Sequence, residues 1–301
     1  MADVLLAIPN VSEGRDATAI EAIGAAFDAR LLDIHSDPDH HRSVFTLAGR
    51  PGSLAGAVLD GAAEVVRRID VNRHLGIHPR VGAIDVAPIV YLDPADRGAA
   101  CAEALVLGDL LGEELELPVF LYGELAAGRT RAELRRGGPA GLAGRIEAGE
   151  LRPDFGPRRL HPTAGAVLVA ARAPLIAFNL ELAPPATVAD ARAIAALIRE
   201  GGAEGLPAVR AIGLWLDARG VAQVSTNVED HRAMPLARVV EAIARHATPS
   251  RAELVGLAPR VAFDGFPDDL PVSGRRTVED ALADALCTTP ESGSAPPTSG
   301  T

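Results

Sequence analysis

The chain contains no lysine: all 29 of its basic residues are arginine, set against 40 aspartates and glutamates. Without a lysine ammonium there can be no Schiff-base lysine, no pyridoxal-phosphate anchor and no phosphate-loop lysine, so kinase and nucleotide-loop functions are excluded. The formal net charge of −11 predicts a protein that does not bind nucleic acid or anionic lipid non-specifically.

Aromatic residues and cysteines are also scarce. Aromatics make up 3% of the 301 residues, which disfavours a platform for stacking bases. Cys101 and Cys287 lie far apart and match no metal or redox spacing, as expected in a reducing cytoplasm. No apolar run approaches the ~20 residues of a membrane span, and the N-terminus lacks the basic segment of a signal peptide. We therefore expect a cytoplasmic protein that does not enter the membrane.

Apolar periodicity predicts the element order β-α-β-β-α-β twice along the chain. In the first half the predicted elements are residues 3–9, 16–30, 31–36, 43–48, 54–68 and 83–91, followed by 96–114, 118–122 and 166–170. In the second half they are residues 174–182, 188–199, 208–216, 221–227, 236–246 and 252–255. This order builds a ferredoxin-like sandwich.

The predicted fold class is therefore α/β (α+β), with two ferredoxin-like βαββαβ subdomains that form a cleft or tunnel. The expected boundaries are residues 1–173 and 174–262, with a C-terminal helix and a disordered tail in residues 263–301. We expect Trp215 to lie in the core of its strand. The charged face of residues 103–116 is expected to be solvated surface.

A glycine- and arginine-rich stretch separates the two repeats. Residues 126–159 hold eight arginines and four acidic residues, a surplus of four positive charges in an acidic chain. Its glycines and prolines predict loops around one short helix at residues 140–148.

Polar residues directly follow the first predicted strand, in the segment PNVSEG at residues 9–14. Ser12 is a possible N-cap of the next helix, with Glu13 near the helix start. Asn10, at the tip of the strand, is also placed to hydrogen-bond a ligand.

Three aspartates and three histidines occur within nine residues of the segment 33–41. Asp33 and His35 fall on one face of a strand, which is a workable pair of metal ligands. The alternative is a solvated loop in which the carboxylates turn the backbone. The chain offers no HExxH motif, so we expect no metal.

Two histidines and two arginines crowd the entry to the strand at residues 83–91. His78 precedes Pro79, which favours an extended backbone, and Arg80 follows it closely. Histidine is the usual general acid or base near neutral pH, so we predict a catalytic role for His78. A hydrogen-bonded structural histidine is the alternative.

Six segments together resemble the glutamate formiminotransferase family, also called formimidoyltransferase. The resemblance covers residues 3 to about 260, and the segments appear in family order: PNVSEG (9–14), RHLGIHPRVGAIDVAP (73–88), LPVFLYGE (117–124), PDFGP (153–157), LIAFNLEL (175–182) and AQVSTN (222–227). The family's two ferredoxin-like halves agree with the repeat read from the periodicity, and the resemblance also implies a homodimer.

The resemblance implies transfer of a formimino group from N-formimino-L-glutamate to tetrahydrofolate as co-substrate, which serves histidine breakdown and one-carbon metabolism. It places the catalytic histidine at His78. It also implies a folate-contacting segment made of Gly156, Pro157, Arg158, Arg159, Leu160, His161, Pro162, Thr163, Ala164 and Gly165. The chain shows no cyclodeaminase half, so a stand-alone transferase is expected.

The chemistry of that reaction suggests further substrate-binding residues. Asn10, Asp33 and Asp85 are candidates to hold the amidinium-like formimino group. Both substrates carry carboxylates, which suit arginine forks, and the candidates are Arg42, Arg80, Arg158 and Arg159. The prediction is a basic cleft lined by arginines, with His78 between the halves.

Other functions stay open at this point. Ala164 stands where the family has a tryptophan, and His35 where it has an acid, so a related formyl or formimino transferase with a non-folate acceptor is one alternative. A metal-dependent amidohydrolase that uses Asp33, His35 and His40 is a second. A non-catalytic amino-acid-binding module is a third.

Overall fold

The computed structural model describes residues 4–75 and 79–287, and these residues form two β-sheets with helices packed against them. The predicted general acid/base His78 and the predicted disordered tail lie outside the described residues. Within the described ranges, every helix is too short or too polar to cross a bilayer.

The first half contains a complete β-α-β-β-α-β unit, extended by one helix and one strand. Its elements are β1 (Leu5–Ala7), β2 (Asn10–Val11), α1 (Ala17–Ala26), β3 (Arg30–Asp37), β4 (Arg42–Gly49), α2 (Leu54–Arg68), β5 (Ile84–Tyr91), α3 (Arg97–Glu114) and β6 (Val119–Leu121). Both β1 and β2 lie between β4 and β5, and β3 pairs with β4, which gives the antiparallel order β5–β1–β4–β3.

The glycine- and arginine-rich stretch forms two helices, α4 (Arg131–Arg135) and α5 (Gly138–Glu147). The five-residue α4 was not predicted. It begins at a capping box in which Thr130 accepts the N–H of Glu133 and Glu133 accepts the N–H of Thr130. Strand β7 (Val167–Arg172) then lies parallel to β5 and β6 and widens the first sheet.

The second half repeats the unit. Its elements are β8 (Ile176–Leu182), α6 (Val188–Ile198), β9 (Val209–Leu216), β10 (Val221–Val228), α7 (Leu236–Ala244), β11 (Pro249–Val255), β12 (Val272–Ser273) and α8 (Val278–Cys287). The antiparallel order β11–β8–β10–β9 is the same as in the first half. The repeated order confirms the prediction of two ferredoxin-like units.

Each half has its own apolar core between its sheet and its helices. In the first half Phe45 and Leu47 of β4 are fully buried against helix residues such as Val58. In the second half Phe178 and Leu180 of β8 are fully buried in the corresponding core. Because successive side chains of a strand point to opposite faces, the neighbours of these core residues lie on the other face of each sheet, which borders a cavity.

The C-terminal helix α8 packs against the first half. Its residues Val278 and Ala281 are buried with Leu6, Leu32 and neighbouring side chains of the first sheet. The chain therefore crosses back after the second unit and covers part of the first.

Two expectations about surface and core were wrong. Glu103 is only 5% exposed, because its carboxylate accepts the backbone N–H groups of Gly52 and Ala55 at the start of α2. Trp215 is 40% exposed, because it lies on β9, an edge strand of the second sheet. Charge and apolarity alone did not reveal which neighbours these side chains would meet.

The possible N-cap role of Ser12 was also wrong. Helix α1 is capped by Asp16, whose side chain accepts the N–H of Ala19 at 3.0 Å. The Ser12 hydroxyl instead donates to the carbonyl of Gly82 at 2.8 Å, which ties the segment after β2 to the entry of β5.

Candidate active site

A cavity of about 640 Å³ is lined by residues of both sheets. From the first sheet it receives Asn10, Arg42 and Thr46, and from the second it receives Asn179 and Ser225. On each strand these side chains alternate with core residues, as the two-residue period of a strand requires. The face of each sheet that its helices leave uncovered thus provides a wall of the cavity.

A buried carboxylate holds two of the arginines that line the cavity. Asp85 is fully buried, and its Oδ1 accepts the N–H of Val81 at 2.8 Å. Its Oδ2 accepts Nη1 of Arg42 at 2.8 Å and also accepts Nη2 of Arg135. One aspartate therefore fixes two arginines that come from distant parts of the chain.

Arg42 is held on a second side by Asn10. Nε of Arg42 donates to Oδ1 of Asn10 at 3.1 Å, and Nδ2 of Asn10 donates to the carbonyl of Ile8 at 2.9 Å. Burial lowers the pKa of Arg42 to about 10, against the opposing effect of Asp85. The guanidinium is therefore charged at neutral pH and has a fixed orientation at the cavity wall.

Histidines and acids line the side of the cavity near β3 and β11. Asp37 Oδ2 lies 3.0 Å from Nδ1 of His40. His35 Nε2 lies 4.0 Å from Oε1 of Glu253 on the second sheet, and Asn179 donates to the other oxygen of Glu253 at 3.0 Å. This side joins the two halves through polar contacts.

Arginines line the opposite side, near β7 and α4. Arg131, Arg135 and Arg172 all contribute to the lining, together with Tyr122. The Arg131 guanidinium carbon lies 5.8 Å from the centre of the Tyr122 ring. The cavity therefore has a histidine- and acid-lined side and an arginine-lined side.

Two stacked histidines, His41 and His74, join the turn between β3 and β4 to the residues after α2. The rings of His41 and His74 lie 4.2 Å apart at an interplanar angle of 18°. His41 Nε2 lies 3.0 Å from Oε1 of Glu13, and His74 Nε2 lies 2.8 Å from the carbonyl of His41. Arg80 donates to the carbonyl of His74 at 2.8 Å, and burial lowers the pKa of His74.

Of the predicted substrate-binding residues, Asn10 and Arg42 line the cavity, and Asp85 contacts Arg42 directly. Arg80 binds the backbone beside the histidine stack. Asp33 is not among the lining residues and lies 3.9 Å from Arg276. Burial raises the pKa of Asp33, against the opposing charges of His35 and Arg276.

The predicted folate segment packs against the residues that precede β5. The carbonyls of Thr163 and Ala164 accept the N–H groups of Val71 and Ala83. Gly165 has a φ of +72° and would place a Cβ 2.3 Å from the carbonyl oxygen of Val81, so only glycine fits there. None of residues 156–165 is among the lining residues of the cavity, and Arg158 and Arg159 are exposed.

Several lining residues were missed by the sequence analysis. Arg131 and Arg135 come from the stretch with the surplus of positive charge, and that surplus was an available signal. Arg172 interrupts an otherwise apolar run, and that interruption was an available signal. Asn179 and Ser225 lie inside the family segments but on the opposite face from the core residues.

A metal-ligand cluster is not found among residues 4–75 and 79–287, where no three His, Cys, Asp or Glu side chains are close enough to hold an ion. The amidohydrolase alternative based on Asp33, His35 and His40 thus has no ligand set in that part of the chain. His35 instead faces Glu253, and His40 pairs with Asp37.

Comparison with known proteins places the chain in a family. Residues 4–172 match the family model of the formiminotransferase domain, N-terminal subdomain, and residues 177–263 match that of the formiminotransferase domain. The glutamate formimidoyltransferase of Streptococcus pyogenes serotype M1 is 35% identical over 275 residues, covering 87% of this chain and 91% of the relative.

Two other relatives show the range of the similarity. The glutamate formimidoyltransferase of Thermoplasma acidophilum is 33% identical over 270 residues, covering 85% of this chain and 88% of the relative. The formimidoyltransferase-cyclodeaminase of Sus scrofa is 38% identical over 282 residues, covering 87% of this chain and 51% of the relative. The chain spans about half the length of the relatives that carry this longer name. By the two matched models and these identities, the chain belongs to the formiminotransferase family.

Proposed function

We propose that this protein transfers the formimino group of N-formimino-L-glutamate to tetrahydrofolate, giving 5-formiminotetrahydrofolate and L-glutamate. The observation that carries the proposal is the fixed, charged Arg42 at the wall of a cavity lined by both ferredoxin-like halves. A cavity of this kind can hold two substrates together and shield their reaction from water.

His78 is the proposed general acid and base of this reaction. The folate N5 loses a proton as it attacks the formimino carbon, and the departing glutamate nitrogen gains one. A single imidazole can accept the first proton and deliver the second. Although His78 lies outside the described residues, the next residue in the chain, Pro79, lines the cavity.

The array of Asn10, Arg42 and Asp85 is proposed to bind substrate beside His78. Arg42 presents a guanidinium to a carboxylate, and Asp85 acts by holding that guanidinium in place. The predicted roles of Asp33, Arg80 and the folate segment 156–165 stay proposals. Support for the folate segment comes from its hydrogen bonds to Val71 and Ala83, on either side of His78 in the chain.

The remaining features of the proposal come from the family resemblance and from the sequence. They are a cytoplasmic enzyme of histidine catabolism, a homodimer, tetrahydrofolate as co-substrate without a metal, and subdomain boundaries at residues 173 and 262. The relatives named glutamate formimidoyltransferase support the donor and the transferred group.

The variant His78→Ala tests the proposed chemistry. We expect turnover to fall about 10²–10⁴-fold, the usual contribution of a positioned acid/base, while both substrates still bind. The matched control is His246→Ala, because His246 pairs with Glu204 away from the cavity. Unchanged turnover in His78→Ala, measured under single-turnover conditions, would rule out the acid/base role.

A further inference from the structure

The arginines of the cavity do not all have acidic partners. Five arginines are among the lining residues: Arg42, Arg131, Arg135, Arg172 and Arg210. Arg42 and Arg135 share the carboxylate of Asp85, while Arg210 lies 3.3 Å from Glu200 and 3.5 Å from Glu229. Within the described ranges, no carboxylate lies within 4.0 Å of a nitrogen of Arg131 or Arg172.

Arg172 is the more constrained of these two arginines. Its Nη1 donates to the carbonyl of the adjacent Ala173 at 3.0 Å, and its Nε is buried without a hydrogen-bond partner. Burial lowers the pKa of Arg172 and the positive charge of Arg131 lowers it as well, while Tyr122 and the acid Glu229 act in the opposite direction. A partly buried guanidinium next to a second cation is unfavourable unless an anion compensates both.

A hydroxyl group next to Arg172 also lacks a partner. Tyr122 is only 6% exposed, and its Oη lies close to the Arg172 guanidinium but forms no well-oriented hydrogen bond with any atom of the described chain. Leaving a buried hydroxyl unsatisfied is unfavourable, so such groups are normally paired with protein or ligand. Arg172, Arg131 and Tyr122 all line the cavity, and all three can donate hydrogen bonds.

We propose that Arg172, Arg131 and the Tyr122 hydroxyl form a binding subsite for a substrate carboxylate. A carboxylate has the charge and the acceptor oxygens that two guanidinium groups and a hydroxyl require. This subsite lies on the arginine side of the cavity, apart from Arg42, Arg80, Arg158 and Arg159, which the sequence had suggested for that purpose. The identification of the ligand as a substrate rests on the proposed function.

Two substrate carboxylates could occupy the subsite, that of the formimino donor and that of the glutamate tail of the folate. Binding of two probes separates them: L-glutamate represents the donor, and p-aminobenzoyl-L-glutamate represents the folate tail. Affinities of both are measured by calorimetry on the full chain for wild type, Arg172→Gln and Arg172→Lys. The control is Arg238→Gln, because Arg238 is exposed on α7 and pairs with Glu241.

We expect Arg172→Gln to weaken at least one probe about tenfold or more, because a charge-assisted contact is lost. Arg172→Lys keeps the positive charge but lacks the guanidinium fork, so its probe affinity should lie between those of wild type and Arg172→Gln. The control Arg238→Gln should bind as wild type does. The probe that loses affinity identifies the substrate. If Arg172→Gln does not fold, Tyr122→Phe replaces it, with an expected loss of about threefold or more.

Wild-type affinity of both probes for Arg172→Gln, or for Tyr122→Phe where it replaces that variant, would overturn the subsite. Failure of wild type to bind either probe would overturn it too. Formimino transfer is assayed separately on the same preparations. A wild-type protein that binds a probe through Arg172 but transfers no formimino group would contradict the proposed function and leave the subsite supported.

Discussion

Nη1 of Arg42, a cavity-lining residue of β4, donates to the fully buried carboxylate of Asp85 of β5 at 2.8 Å. The same carboxylate also accepts Arg135 of α4, which follows in the chain only after β6. This ion cluster joins the first ferredoxin-like unit to the arginine-rich segment. It therefore links the stability of the fold to the geometry of the site.

Asp85→Asn should destabilise the protein strongly. The neutral amide leaves Arg42 and Arg135 without the negative charge that they share. Removing one charged partner of a buried ion pair costs about 3–5 kcal/mol of unfolding free energy. Urea unfolding measures the loss. The control Glu241→Gln removes an exposed acid that pairs with Arg238, and no measurable change is expected. Equal effects of the two substitutions would contradict the assigned role of Asp85.

Glu103→Ala should destabilise helix α2. The carboxylate of Glu103 accepts the N–H groups of Gly52 and Ala55, whereas Ser53, the N-cap residue of α2, makes no side-chain capping bond. Loss of a capping acceptor costs about 0.5–2 kcal/mol, which chemical unfolding detects. Glu103 itself lies on helix α3, and the control is Glu113→Ala, at an exposed position of that helix. A stability equal to that of wild type would show that the N–H groups find other acceptors.

Asp37 should make the stability of the protein depend on acidity. Burial alone would raise its pKa, but hydrogen bonds from His40 and from the backbone of Asp39 lower it to about 2. Because the folded-state pKa lies below the unfolded value of about 3.9, the stabilisation is complete above about pH 5 and is lost as the pH falls towards 2. The contribution at neutral pH is about 2 kcal/mol.

The comparison of wild type with Asp37→Asn across pH measures this contribution. The difference in unfolding free energy should be largest above about pH 5 and should shrink between about pH 4 and pH 2. A difference that stays constant over that range would mean that Asp37 does not stabilise the fold through its charge.

Gln223→Met should raise the stability of the second half. Gln223 is fully buried on β10, and neither its amide nitrogen nor its amide oxygen has a hydrogen-bond partner in the described chain. Replacing an unsatisfied amide with an apolar group of similar length removes a desolvation penalty of about 1–3 kcal/mol. The control is Thr226→Val on the same strand, where the hydroxyl donates to the carbonyl of Phe178, and a loss is expected. A destabilised Gln223→Met would contradict the assignment.

Much of the fold followed from local patterns. Helix α2 was predicted at residues 54–68 and spans Leu54–Arg68, because its apolar residues recur at helical spacing over four turns. Strand β4 was predicted at residues 43–48 and spans Arg42–Gly49. The five-residue helix α4 is too short for such periodicity, and its capping box was not recognised in advance.

The site followed from the sequence only in part. Asn10 was predicted from its place at the end of an apolar strand and Arg42 from the fit of arginine to substrate carboxylates, and both residues line the cavity. Arg172 and Tyr122 belong to separate strand ends, and only the pairing of β6 with β7 brings those ends together. A three-dimensional contact of this kind leaves no spacing signal in a single sequence.

The central claim is formimino transfer between two substrates, and one measurement tests it most directly. Purified protein is incubated with N-formimino-L-glutamate, with and without tetrahydrofolate, and L-glutamate and 5-formiminotetrahydrofolate are quantified by mass spectrometry. We expect both products in equal amounts and only when tetrahydrofolate is present. Glutamate released equally without tetrahydrofolate, or no product in either reaction, would contradict the account.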